Sequence, residues 1–80
     1  MTEPEIYSGL QQVFDAVFKR HDIKLTANLS AEDVPGWDSF MQVNLIVGTE
    51  ELFSISLVDS DIDELDNIGD LVTTIARLTA

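Results

Sequence analysis

Few residues in this chain could do chemistry, and the most suggestive pair is Asp38-Ser39, set behind Val34-Pro35-Gly36-Trp37. A serine in this setting has three readings. As part of an N-cap, the side-chain oxygen of Asp38 or Ser39 accepts a first-turn backbone N–H of the helix that follows. As a nucleophile, Ser39 lacks what activation needs: no Gly-x-Ser-x-Gly elbow surrounds it, and His21 is the single histidine. As a passive attachment point, modified by another enzyme, it stands at a helix N-terminus, where backbone N–H groups and the helix dipole favour a phosphate. The Val-Pro-Gly-Trp run would hold it at the end of a rigid, exposed loop.

The other chemically interesting residues have plainer readings. Asp59-Ser60-Asp61-Ile62-Asp63 matches the opening of an EF-hand calcium loop. However, Glu64 stands where the loop needs glycine, and Asp70 where it needs a bidentate glutamate. A solvated acidic face fits better, and no metal site is expected. His21, beside Lys19 and Arg20, suits helix termination or a surface contact. Trp37 is expected to cover the loop over the core, with an interaction anchor as its second reading.

Composition sets the frame for these residues. Eighty residues allow one small domain. Fifteen acids face four Lys plus Arg, a formal net charge of -11. With 45% apolar residues the chain is expected to fold despite this repulsion. Having no cysteine, it has no disulfide and no thiol chemistry of its own. Nucleic acid and anionic membranes are poor partners, because phosphate binding needs bases this chain lacks. No apolar run approaches a membrane span and no signal pattern opens the chain, so a cytoplasmic domain is expected. The charge is uneven: Glu3, Glu5, Asp15 and Asp22 are offset by Lys19, Arg20 and Lys24, whereas Arg77 is the lone base after residue 25.

The elements that must position Ser39 read as helices. Ile6, Leu10, Val13, Phe14, Val17 and Phe18 share one face of a first helix, capped by Thr2 and closed by Lys19 and Arg20. Residues 21–38 lack a period and read as a long loop pinned by Ile23, Leu25, Leu29 and Val34. A second helix starts at Asp38-Ser39 and runs to about Phe53. It is apolar on two faces: Leu45, Ile46, Thr49 and Phe53 on one, Phe40, Val43 and Val47 on the other. Such a helix either sits centrally or shows one face to a partner or ligand. Residues 53–57 alternate like a strand but have nothing to pair with, so they read as an extended connector with Phe53, Ile55 and Leu57 inward. A short acidic helix or turn spans Asp59 to Leu65. A last helix runs from Ile68 to Leu78, capped by Asn67 or Asp66. The fold class is all-α, a small four-helix bundle in one domain, residues 1–80.

With these residues in view, the sequence resembles the acyl carrier proteins. The likeness centres on Val34-Pro35-Gly36-Trp37-Asp38-Ser39-Phe40, similar to the family's Asp-Ser-Leu attachment motif. It continues through Glu50-Glu51-Leu52-Phe53-Ser54-Ile55-Ser56-Leu57 and closes on Ile68-Gly69-Asp70-Leu71-Val72. It implies a carrier without catalysis of its own. A phosphopantetheinyl transferase would attach 4'-phosphopantetheine from coenzyme A to Ser39, with Gly36, Trp37, Asp38 and Phe40 as the surrounding motif. The arm's thiol would hold acyl groups as thioesters for acyl-loading and acyl-processing enzymes. The resemblance also implies that the second helix guides partners and that an acyl chain can enter between helices. The carrier is expected to act as a monomer.

One departure from the family bears on specificity. Housekeeping members place acids just after the serine, whereas here those positions hold Met41, Gln42 and Asn44. Met41, Val43, Asn44 and Val47 are therefore the expected partner-facing residues, in a more apolar and less salt-sensitive contact. This suggests a specialised carrier for modified lipids or secondary metabolites. The alternative from another class is an unmodified acidic adaptor that docks on basic protein partners.

Overall fold

A computed structural model describes all of residues 1–80. Four helices follow in order: α1 (Glu3–Phe18), α2 (Ser39–Phe53), α3 (Asp59–Asp63) and α4 (Ile68–Leu78), with no strand. No helix is long and apolar enough to cross a membrane.

α1 begins in a reciprocal cap. The Thr2 backbone N–H donates to Glu5 Oε1 at 2.8 Å, and the Glu5 N–H donates to Thr2 Oγ1 at 3.3 Å. Its apolar stripe buries Ile6, Leu10, Val13 and Phe14 against both α2 and α4. The other end departs from expectation. Lys19 leaves the helix in the left-handed region (φ 55°), so neither base lies in the last turn. Arg20 instead turns to Asp22 in a two-pronged ion pair, both contacts at 2.8 Å.

α1 and α2 approach closely because two glycines allow it. A Cβ on Gly9 would lie 2.6 Å from Cζ of Phe53, and one on Gly48 would lie 3.0 Å from Cγ1 of Val13. Gly48 weakens its helix slightly, and the contact with Val13 gives the reason it is there.

The long loop is pinned as expected. Ile23 and Val34 are buried, and Leu25 and Leu29 pack on the core. It contains one unforeseen turn of 3-10 helix, Ala31–Asp33, begun by the Ser30 N–H donating to Asp33 Oδ2 at 3.0 Å. Loop carbonyls also satisfy the start of α4. Ile68 N–H donates to the Leu29 carbonyl at 2.9 Å, and Gly69 N–H to that of Ala27 at 3.0 Å. Asn67 completes this end by accepting from the Asp70 N–H at 2.9 Å.

The connector after α2 takes its hydrogen bonds from a helix rather than from a second strand. The Glu50 carbonyl accepts from Ile55 N–H at 3.1 Å, and its carboxylate accepts from Leu57 N–H at 2.8 Å. Phe53 and Leu57 are buried and Ile55 packs beside them. α3 buries no residue, and Asp61 ties it to α4 through Arg77 at 2.7 Å.

The core is apolar with one exception. Thr49, on the inner face of α2, is fully buried and its hydroxyl has no partner. An orphaned polar group of this kind costs about 1–3 kcal/mol.

Candidate functional site

The approach to Ser39 is built by a turn, an aromatic anchor and a cap. Gly36 takes φ 87°, where glycine has no steric penalty, and Trp37 N–H closes the turn on the Val34 carbonyl at 3.2 Å. The Trp37 ring packs edge-on against Phe14 and Phe18, with centroids 5.3 and 6.1 Å away. Its indole N–H donates to Gln42 Oε1 at 2.7 Å. Trp37 thus covers the core as the sequence suggested. Gln42, noted from sequence as a non-acidic position, locks it in place.

Asp38, extended at φ -113°, is the N-cap of α2. Its Oδ1 accepts from Met41 N–H and its carbonyl from Gln42 N–H, both at 2.9 Å. Ser39 is therefore the first helical residue, and it is exposed. The N–H groups of Ser39 and Phe40 lie before the helix's own hydrogen-bond ladder begins, which leaves them free to meet an anion.

Beside Ser39 opens an apolar pocket of about 610 Å³. One wall is α2, with Ser39, Gln42, Val43, Leu45 and Ile46. The other is the segment Leu65 to Ile68 with Leu71, and Phe14 and Trp37 also line it. This volume lies within the range of small-molecule sites. The far wall was not legible in the sequence as part of a site.

The outward face of α2 is as expected. Phe40, Val43 and Val47 are 72%, 61% and 46% exposed, while Leu45, Ile46, Thr49 and Phe53 are buried. Met41 and Asn44 are half-buried beside the exposed stripe.

Other candidate residues lie apart from this site. Asp59 to Asp63 form a helix instead of a calcium loop, and no three carboxylates or imidazoles gather to hold a metal ion. His21 makes a surface contact, its Nδ1 3.4 Å from Asp15 Oδ2. The shifted titrations are also elsewhere. The Thr2 backbone N–H holds Glu5 below the ordinary carboxylate range, and the hydrogen-bonded Arg20 guanidinium does the same for Asp22.

No protein-family model matches the chain. Individual relatives do. The meromycolate extension acyl carrier protein of Mycobacterium leprae is 30% identical over 78 residues, covering 98% of this chain and 68% of that protein. An acyl carrier protein of Kineococcus radiotolerans is 30% identical over 76 residues, covering 95% of this chain and 94% of that one. The solution structure of a holo acyl carrier protein from Geobacter metallireducens superposes with a TM-score of 0.86 at 33% identity. That match covers 91% of this chain and 84% of that one. A helical bundle shared with that structure, and relatives matched along almost the whole chain, make this protein a carrier rather than an enzyme: it belongs to the acyl carrier protein family.

Proposed function

We propose that residues 1–80 are one carrier domain, modified at Ser39 with 4'-phosphopantetheine, that presents acyl thioesters to partner enzymes in the cytoplasm. The observation that carries this reading is the exposed Ser39 hydroxyl at the first position of α2, beside the mouth of an apolar pocket. In the modification step the Ser39 oxygen bonds to the phosphorus of the pantetheine arm of coenzyme A. Adenosine 3',5'-bisphosphate leaves, and the hydroxyl proton passes to the transferase. The free N–H groups of Ser39 and Phe40 would face the resulting phosphodiester, in a region without Lys or Arg. The arm supplies the thiol that this cysteine-free chain lacks.

The remaining residues have supporting parts in this reading. Asp38 fixes the start of α2, Trp37 and Gln42 hold the loop, and the pocket shields the acyl chain from water. Phe40, Met41, Val43, Asn44 and Val47 form the surface for acyl-loading and acyl-processing enzymes. Its lack of charge favours a specialised carrier over a housekeeping one. Incubating the protein with coenzyme A and a broad-specificity phosphopantetheinyl transferase should add one phosphopantetheinyl mass, and Ser39→Ala should abolish the gain. An unchanged wild-type mass would overturn the proposal in favour of an unmodified adaptor.

A further inference from the structure

Thr49 is the one polar side chain among the buried residues, 0% exposed, and its hydroxyl meets no partner. Threonines elsewhere in the bundle avoid this state. Thr73, Thr74 and Thr79 each donate to the carbonyl four residues back, at 3.0, 2.9 and 2.8 Å. A valine has the same shape and would fill the site without a stranded hydroxyl.

Position suggests what the hydroxyl awaits. The pocket beside Ser39 reaches Leu45 and Ile46, and Thr49 lies one turn further along the same inner face. From Ser39 to Thr49 the helix rises about 15 Å. Thr49 does not itself line the pocket, and a chain entering beside Ser39 would have to pass beyond Leu45 and Ile46 into the apolar core to reach it. A plain hydrocarbon there would leave the hydroxyl stranded, whereas a ketone or hydroxyl on the chain would pair with it. Sites built around a buried hydrogen-bonding group reject cargo that cannot complete the bond.

We propose that Thr49 is a specificity-determining residue for acyl cargo bearing an oxygen along its chain. This rests on the carrier reading. Chains of equal length, one saturated and the others with a single ketone or hydroxyl stepped along it, would be loaded through the arm on the wild type, Thr49→Val and Thr49→Ser. Thermal melts then compare them. For at least one oxygen position the wild type should melt about 4 °C or more above its saturated form. Thr49→Ser should keep that increment, and Thr49→Val should lose it while retaining the gain from the saturated chain. Unloaded Thr49→Val should melt above the unloaded wild type. The inference is overturned if no oxygen position outperforms the saturated chain, if Thr49→Val keeps the increment, or if unloaded Thr49→Val melts lower. Mass is read first: absence of the Ser39 adduct removes the carrier reading and this inference with it, whereas normal loading without an oxygen effect removes the inference alone.

Discussion

α2 and α4 are similar in length and lie in the same bundle, yet they resolve their surfaces differently. α4 buries Ile68, Leu71, Val72 and Ile75, while Thr73, Ala76 and Arg77 face water. Its first N–H groups are taken by Asn67 and the loop carbonyls, and its threonines back-bond. α2 buries an equally apolar face but leaves Phe40, Val43 and Val47 outside and strands Thr49 inside. None of its residues from Ser39 to Thr49 is charged. α4 follows what stability alone would select. α2 retains two features that stability would remove, and those are where function is to be sought.

The inner faces of the two helices should be equally costly to disturb. Leu45→Ala in α2 and Ile75→Ala in α4 should each destabilise by about 2–5 kcal/mol in urea unfolding. A near-neutral Leu45→Ala would place the core on α4 alone and break the comparison. A smaller loss is expected at the α1–α2 crossing. Gly9→Ala sets a Cβ against the Phe53 ring, and overpacking should lower stability by about 1–3 kcal/mol although alanine is the better helix former.

The outer faces should separate the helices. Val43→Ser and Val47→Ser should each change stability by no more than about 0.5 kcal/mol, while acyl transfer to partner enzymes weakens. A control on the outer face of α4, Ala76→Ser, should leave transfer unaltered. If it weakens transfer equally, docking is not confined to α2. The smallest effect belongs to the exposed first turn of α1. Glu5 is held below the ordinary carboxylate range by the Thr2 backbone N–H. Its contribution is present above the unfolded-state pKa and is lost as pH falls through the lower folded-state value. Glu5→Gln should flatten the acid end of the stability profile slightly, as read by melts across that range.

Much of this contrast was legible before folding because it is local. Helix period separated Leu45, Ile46, Thr49 and Phe53 from Phe40, Val43 and Val47. Capping rules placed Asp38 and Ser39, and they found Thr2 and Asn67. The alternation of residues 53–57 reads as a connector because no partner run exists, and the structure has no strand there. Other features depend on residues meeting across the fold. Leu65 to Ile68 become a pocket wall by packing opposite α2, and Ala27 and Leu29 become acceptors for α4. The hydrogen bond from Trp37 to Gln42 had a faint signal, since a covered indole N–H needs an acceptor nearby. The solitude of the Thr49 hydroxyl had none, because its usual carbonyl partner is present in every helix.

Glu50 carries a consequence for how partners find this surface. Half-buried, it is engaged by the N–H groups of Ile55 and Leu57, so the first fully exposed carboxylate on α2 after Asp38 is Glu51. The interval between those two acids is about 20 Å of helix, which puts its midpoint about 10 Å from either end. At physiological ionic strength the Debye length is about 8 Å. The terminal acids of α2 are therefore largely screened at its centre, despite a net charge of -11 on the chain. A protein settling over Val43 gains little steering from this helix, whereas Val47, about 6 Å of rise from Glu51, stays within reach of that acid.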